Sequence, residues 1–275
     1  MKQSTISLLI ASALVFSLAS CNGAKKTNEA ATTEEEAVIA GSIPKSLLTE
    51  EVKAETIQLL SELPDSDIPY RIATGEVKIG IGDLNYMLPA SKASELTTNA
   101  QKARAAGIYF ADYNILKALG QPTAETEAVL AKLTADLNIV YVTNILRQEA
   151  PPVTDAQSFG KFLNEQEDRI IMELAADDKI DVQIELLSGI TAELAALYAN
   201  PSLVVQGDAV SAGLTENQMK RLEILGQIVG DLSAYYPDLA QLGEILAPLN
   251  DKLTSIQAAR NANAEIIAIR DALLK

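Results

Sequence analysis

The chain has 275 residues with 22 basic and 37 acidic side chains, a net charge of −15, one cysteine, and neither histidine nor tryptophan. A surface this acidic repels nucleic-acid phosphates and anionic lipid headgroups, so no nucleic-acid partner is expected. Without histidine, neither a His-based zinc site nor a Glu-x-x-His di-iron bundle can be built, one cysteine forms no intramolecular disulfide, and no cofactor is expected.

The N-terminus opens with Met1 and Lys2, runs through an apolar stretch from Ile6 to Leu18 broken only by serines, and reaches the small residues Ala19 and Ser20. That layout predicts a signal peptide over residues 1–20. The apolar run is too short to span a bilayer, which takes roughly 20 residues. Leu18-Ala19-Ser20-Cys21 resembles the lipobox of bacterial lipoproteins. The resemblance implies cleavage before Cys21, a diacylglycerol on its thiol and an acyl chain on its new amine. Acyl chains contribute about 0.8 kcal/mol per buried CH₂, enough in combination for stable anchoring. The plain alternative is a secreted protein with an unpaired thiol; a catalytic thiol would lack a histidine base. Asn22 is not the aspartate associated with inner-membrane retention, so a cell-envelope location at the outer membrane is expected, with the membrane as partner through the Cys21 lipid. Loss of Lys2 with the signal would leave a net charge of −16. Residues 21–43 are small, polar and acidic, and read as a flexible tether reaching roughly 25 Å.

From residue 44 to 275 the spacing of apolar residues is that of helices. The expectation is an all-α multi-helix bundle of about eight or nine helices. In "TEEVKAETIQLLSEL", Thr49 reads as N-cap, Val52, Ile57, Leu60 and Leu63 as the buried stripe, and Pro64 as the stop. Residues 70–84, "YRIATGEVKIGIGDL", alternate Val77, Ile79 and Ile81 with polar or glycine positions and predict an extended arm or small hairpin. Helices are then expected over roughly 91–118, 123–136, 139–149, 154–175 and 178–199. A loop from Asn200 to Gly213 follows, then a helix opened by a Thr215/Gln218 capping box with Met219, Leu222, Leu225, Val229 and Leu232 inward, and helices over about 238–257 and 261–274.

Local motifs are weighed against plainer roles. Gly80-x-Gly82 in "GIGDLN" lacks the βαβ context of a dinucleotide fingerprint and reads as an extended segment with Asp83 capping a helix. Asp65, Asp67 and Glu76 mimic calcium-loop positions, but Pro69 and Tyr70 stand where a ligand and a glycine are required, so a solvated turn is expected. Ser158 and Lys161 have the Ser-x-x-Lys spacing without the companion segments of penicillin-recognising enzymes. Glu165, Glu167, Asp168, Asp177, Asp178 and Asp181 read as a solvated acidic face, with Glu165 and Arg169 as an i,i+4 pair. Gly226-x-x-x-Gly230 predicts close helix packing inside the bundle.

Residues 105–139, "AAGIYFADYNILKALGQPTAETEAVLAKLTADLNI", carry Gly107, Ile108, Tyr109, Ala111 and Asp112 and end in Leu137-Asn138-Ile139. Together with the lipobox they resemble a family of all-helical lipoproteins of Bacteroidetes-type bacteria, in which Gly-(Val/Ile)-Tyr-x-Ala-Asp precedes a helix ending in Leu-Gly-Ile. Ile115 departs from that pattern, where the family has a second tyrosine. Gly189, Glu193 and Tyr198 echo a further helix of the family, though without its tryptophan. The resemblance implies an all-α lipoprotein and implies no activity. On spacing alone, Tyr109, Asp112 and Tyr113 share a helix face, Asp112 is expected to accept from a tyrosine or to cap a helix, and Tyr109, Asp112, Tyr113, Glu193 and Tyr198 form either a polar network or a pocket lining. The expected function is a non-enzymatic lipoprotein with a binding, assembly or envelope-maintenance role toward a protein or small-molecule partner. The alternatives are a hydrolase using carboxylates or Ser158 and Lys161 in an interhelical cleft, or a ligand-binding bundle lined by the tyrosines.

Overall fold

The computed structural model describes residues 48–275; residues 1–20, read above as a signal peptide, Cys21, and residues 21–43, read as a tether, lie outside the described residues. Among the described residues the chain is all-α. Nine helices have seven or more residues: α1 (Glu50–Ser61), α2 (Asp67–Ala73), α3 (Asn99–Ala118), α4 (Ala124–Asp136), α6 (Ala156–Ala176), α7 (Ile180–Tyr198), α8 (Asp208–Leu232), α9 (Pro237–Leu246) and α12 (Asn263–Ala272). Three are shorter: α5 (Tyr141–Leu146), α10 (Leu249–Lys252) and α11 (Ile256–Asn261). None of the described helices is long and apolar enough to cross a membrane.

The architecture is built on α3 and α7. From Gln183 to Tyr198, α7 is buried on every side, as is α3 from Ala103 to Ile115, and a helix without a solvent face belongs at the centre. Around this pair pack α4 on α3, α6, α8, α9, α11 and α12 on α7, and α2 between α3 and α6. Thr49 caps α1 as expected, accepting from the Val52 N–H at 3.3 Å. The inward stripe of α1 differs, however: Thr56 and Leu60 are buried, while Ile57 faces solvent.

Several boundaries depart from the expected ones, each for a local reason. Residues 91–118 are not one helix. A 3₁₀ turn over Ala90–Ser94 stops, and Thr98 opens α3 with a capping box in which Gln101 answers reciprocally. Asn200–Gly213 is not a loop. It carries the strand β2 (Val204–Val205), then Gly207 turns the chain at φ +87° and α8 begins at Asp208. Thr215 therefore lies inside α8 and donates to the Ser211 carbonyl at 2.9 Å instead of capping. The stretch 238–257 breaks where Pro248 cannot continue α9, and the last expected helix is shortened at its start, with α11 preceding α12.

The arm of residues 70–84 is shorter than its alternation predicts, because α2 takes residues 67–73. What remains is β1 (Val77–Lys78), antiparallel to β2 with Val77 opposite Val205 and Lys78 opposite Val204. Val77 and Ile79 are buried, but Ile81 is exposed in a 3₁₀ turn, Ile81–Asp83. Asp83 ends that turn rather than capping a helix: its carboxylate accepts from Ser202 Oγ at 2.9 Å and its carbonyl from Asn200 Nδ2 at 3.0 Å, tying the arm to the segment before β2. The acids of the calcium-like stretch have a structural partner as well, since Asp67 and Glu76 each contact Arg71 at 2.5 Å.

Gly226 and Gly230 do not mediate close packing. Both are exposed, and a Cβ on either would meet nothing within 4 Å. The close crossing belongs to Gly107 of α3 and Gly189 of α7. A Cβ on Gly107 would overlap the Leu186 carbonyl oxygen and lie 2.9 Å from Ile190 N; one on Gly189 would overlap the Arg104 carbonyl oxygen and lie 3.0 Å from Ile108 N.

Candidate functional site

Three pairs define how α3 meets α7: Arg104 with Glu185, Ile108 with Gly189, and Asp112 with Glu193. The offset between partners is constant and the partners recur every four residues. The helices therefore run in the same direction and pack through their i±4 rows. A charged pair stands at one end of the seam, glycine backbone contact in the middle and a carboxyl pair at the other end.

At that last end, Asp112 and Glu193 are 2% and 0% exposed, and their carboxyls face each other. Arg270 of α12 donates from Nη1 to Glu193, from Nη2 to the Tyr86 carbonyl at 2.8 Å and from Nε to Asp271 at 2.7 Å. Asp112 also accepts from the Leu88 N–H. Burial pushes the Asp112 carboxyl well above the usual carboxylate range, and the neighbouring Glu193 adds to it. Burial raises Glu193 too, against the opposing pull of Arg270. The Tyr86 phenol is raised by burial and by both carboxyls. Tyr86 Oη, Asp112 Oδ1 and Glu193 Oε1 are all buried without a conventional donor or acceptor.

Of the residues singled out in the sequence, Asp112 and Glu193 are brought together; the tyrosines are not. Tyr109 does not serve Asp112 but donates to the Pro89 carbonyl at 2.8 Å. Tyr113 donates to the Leu146 carbonyl at 3.0 Å and accepts from Lys117 at 3.2 Å. Tyr198, fully buried on α7, lies 2.5 Å from Thr215 Oγ1, and since the Thr215 hydrogen goes to Ser211, the tyrosine donates. Each tyrosine ties a helix to a different neighbour: the 3₁₀ turn, α5 and α8.

Sequence reasoning missed the buried cations. Arg104 is held between Glu185 and the Leu273 and Asp238 carbonyls. Arg221 of α8, 0% exposed, pairs with Glu167 at 2.6 Å and donates to the Pro64 carbonyl, while Ser66 donates to the same carboxylate. Glu167 is thus no part of a solvated face. The other acids of that group are exposed or half-buried, and Glu165 meets Arg169 at 3.6 Å as expected. The signal that would have found the cations is α7 itself: a helix apolar all round with Glu185 and Glu193 inside it requires counter-charges from elsewhere.

Open grooves mark the surface of the described residues. One, of about 760 Å³, lies between α8 and the start of α11, among Asp208, Thr215, Met219, Glu223 and Ile256. Another, of about 400 Å³, lies between α2 and α6 and includes Asp65, Tyr70, Ser158, Lys161 and Asn164. Ser158 and Lys161 face solvent there, and Lys161 Nζ sits 3.7 Å from Glu165. Among the described residues no cluster of three or more acidic or cysteine side chains is placed to hold a metal ion. Comparison of the chain with protein-family models, with curated proteins and with solved structures gives no match.

Proposed function

We propose that the protein is a lipid-anchored lipoprotein of the cell envelope, held at the outer membrane through Cys21, whose helical domain serves a binding, assembly or envelope-maintenance role without catalysis. The observation that carries this reading is Leu18-Ala19-Ser20-Cys21 at the end of an apolar run with a basic start. The likeness of residues 105–139 to the helical lipoprotein family points the same way. In the left-handed position after α4, Asn138 (φ +56°) stands where that family's pattern has glycine, and asparagine is the residue that best replaces glycine there. Support for a non-catalytic domain comes from the use of its buried charge, in which Arg104, Arg221 and Arg270 each engage a glutamate from another helix. The hydrolase alternative requires Ser158 and Lys161 to share a sheltered pocket, and both face solvent. Metabolic labelling with radioactive palmitate tests the anchor: the wild-type chain incorporates label and Cys21→Ser does not. Equal incorporation by the variant refutes the reading.

A further inference from the structure

The carboxyl pair at the end of the α3–α7 seam presents a problem of charge and of hydrogen count. Two ionised carboxylates have no hydrogen to place between them, yet Asp112 and Glu193 face each other across the seam, both are buried, and each keeps one buried oxygen without a donor. The groups facing Asp112 are few. From α7 comes Glu193, from α12 Arg270 with Asp271 beside it, from the segment after the 3₁₀ turn Tyr86 and the Leu88 N–H, and from α3 itself Tyr109. From α4, Glu125 adds negative charge that is felt at Tyr109. The one cation in this set, Arg270, already serves Glu193 and Asp271. An ionised Asp112 would be a further negative charge in a site that water does not reach, with its nearest cation committed twice.

We propose that Asp112 is a carboxylic acid in the folded protein and donates its hydrogen to Glu193, so that closing the α3–α7–α12 core takes up one proton from solvent. The step is a simple balance. In the unfolded chain Asp112 is ionised at neutral pH; on folding its oxygen acquires one proton from water, and on unfolding returns it. The Asp112 hydroxyl then satisfies one orphan oxygen, Glu193 keeps the charge that Arg270 neutralises, and the Leu88 N–H holds the remaining Asp112 oxygen. The raised position of the Asp112 carboxyl agrees with this arrangement.

The sign of the pH effect follows. A group raised in the folded state favours folding fully only below its unfolded value of about 3.9. Its contribution is lost as pH rises from there through the folded value, and within that window the folding equilibrium constant falls tenfold per pH unit for the one proton. Glu193 is raised as well, so the proton belongs to the pair, with Asp112 as the member that lacks a cation of its own.

The test uses the full chain, wild type and Asp112→Asn, whose amide donates to Glu193 and accepts from Leu88 without titrating. The infrared spectrum at neutral pH is expected to show the carbonyl stretch of a protonated carboxylic acid in the wild type and to lose it in D112N. Urea unfolding between about pH 6 and about pH 8 is expected to show wild-type stability falling with pH by up to tenfold per unit more than that of D112N. Absence of the acid band in the wild type, its persistence in D112N, or identical pH slopes overturns the proposal. If D112N does not fold, Glu193→Gln replaces it: Asp112 then loses its acidic neighbour and shares Arg270 with Asp271 alone, ionises, and the band disappears, whereas a retained band overturns the donation to Glu193. If neither variant folds, the wild-type band decides alone.

Discussion

Gly107→Ala and Gly226→Ala are the same chemical change in the interior of two long helices, and the structure assigns them opposite signs. At Gly226 a methyl group enters open space, and the expected effect is the intrinsic gain of alanine over glycine in a helix, about 1 kcal/mol. At Gly107 the new Cβ lies 2.9 Å from Ile190 N and closer still to the Leu186 carbonyl oxygen. Ordinary contact for such atoms begins near ~3.5 Å, so the nitrogen alone is about 0.6 Å too close. The obstacle is backbone, which cannot rotate aside as a side chain would, so α3 and α7 must separate along their seam. Overpacking costs typically about 1–3 kcal/mol and here belongs at or above the top of that range. After the helix-propensity gain, a net loss of at least about 2 kcal/mol is expected, and the two variants should differ by about 3 kcal/mol or more. Urea denaturation followed by circular dichroism measures this directly, as midpoint shifts in opposite directions with an unchanged slope. Gly189→Ala should resemble Gly107→Ala. The double variant should cost less than the sum, because helices parted by one methyl have room for the second. A Gly107→Ala midpoint within about 0.5 kcal/mol of wild type would refute the close crossing.

The buried Arg221–Glu167 pair predicts a strong asymmetry. Arg221→Ala strands a carboxylate that only Ser66 still serves and should cost about 3–5 kcal/mol, while replacing both partners with apolar residues of similar volume should recover most of the loss in a double-mutant cycle. At the start of α3, Thr98→Ala removes the hydroxyl that accepts from the Gln101 N–H at 3.1 Å and should lower stability by about 1 kcal/mol, read from the same urea midpoint. A neutral Thr98→Ala would mean that the helix does not begin where the capping box places it.

The all-α class was legible because helical spacing is a local property, and so were the ends at which a cap or a proline acts, such as Thr49 and Pro64 on either side of α1. What was not legible depends on partners distant in sequence. Thr215 and Gln218 have capping-box spacing, yet the helix runs through them because Val210, more than a turn before Thr215, packs on the core and Leu214, just before it, is buried. Gly226-x-x-x-Gly230 has the spacing of a close crossing, but spacing does not say whether a neighbour lies against that face. Gly107 and Gly189 have no such spacing within either helix; their signal exists only between helices. The same holds for the polar core. Asp112 and Glu193 could be picked out from their own helices, whereas Arg270 lies on α12, where Ile266 is the one other buried position, so an arginine there looks like surface. A buried charge is recognised by its counter-charge, and pairing is a tertiary fact.

The seam between α3 and α7 shows why such groups stand in the core. Its middle is a backbone contact that only Gly107 and Gly189 leave room for, and a slide of one helical turn, about 5.4 Å, would bring a side chain into it. The glycines therefore disfavour neighbouring registers by contact, and the charged positions disfavour them by pairing. Sliding α7 by four residues one way would set Ile108 opposite Glu193 and Asp112 opposite Leu197; sliding it the other way would set Ile108 opposite Glu185 and Asp112 opposite Gly189. Either slip separates the two carboxyls and leaves a glutamate against isoleucine, and an unpaired buried charge costs several kcal/mol. Only the observed register gives Glu185 its Arg104 and places Asp112 where Glu193 can take its hydrogen. An ionised Asp112 would turn the second of these markers into a repulsion, so the proton on the pair is part of what selects the register.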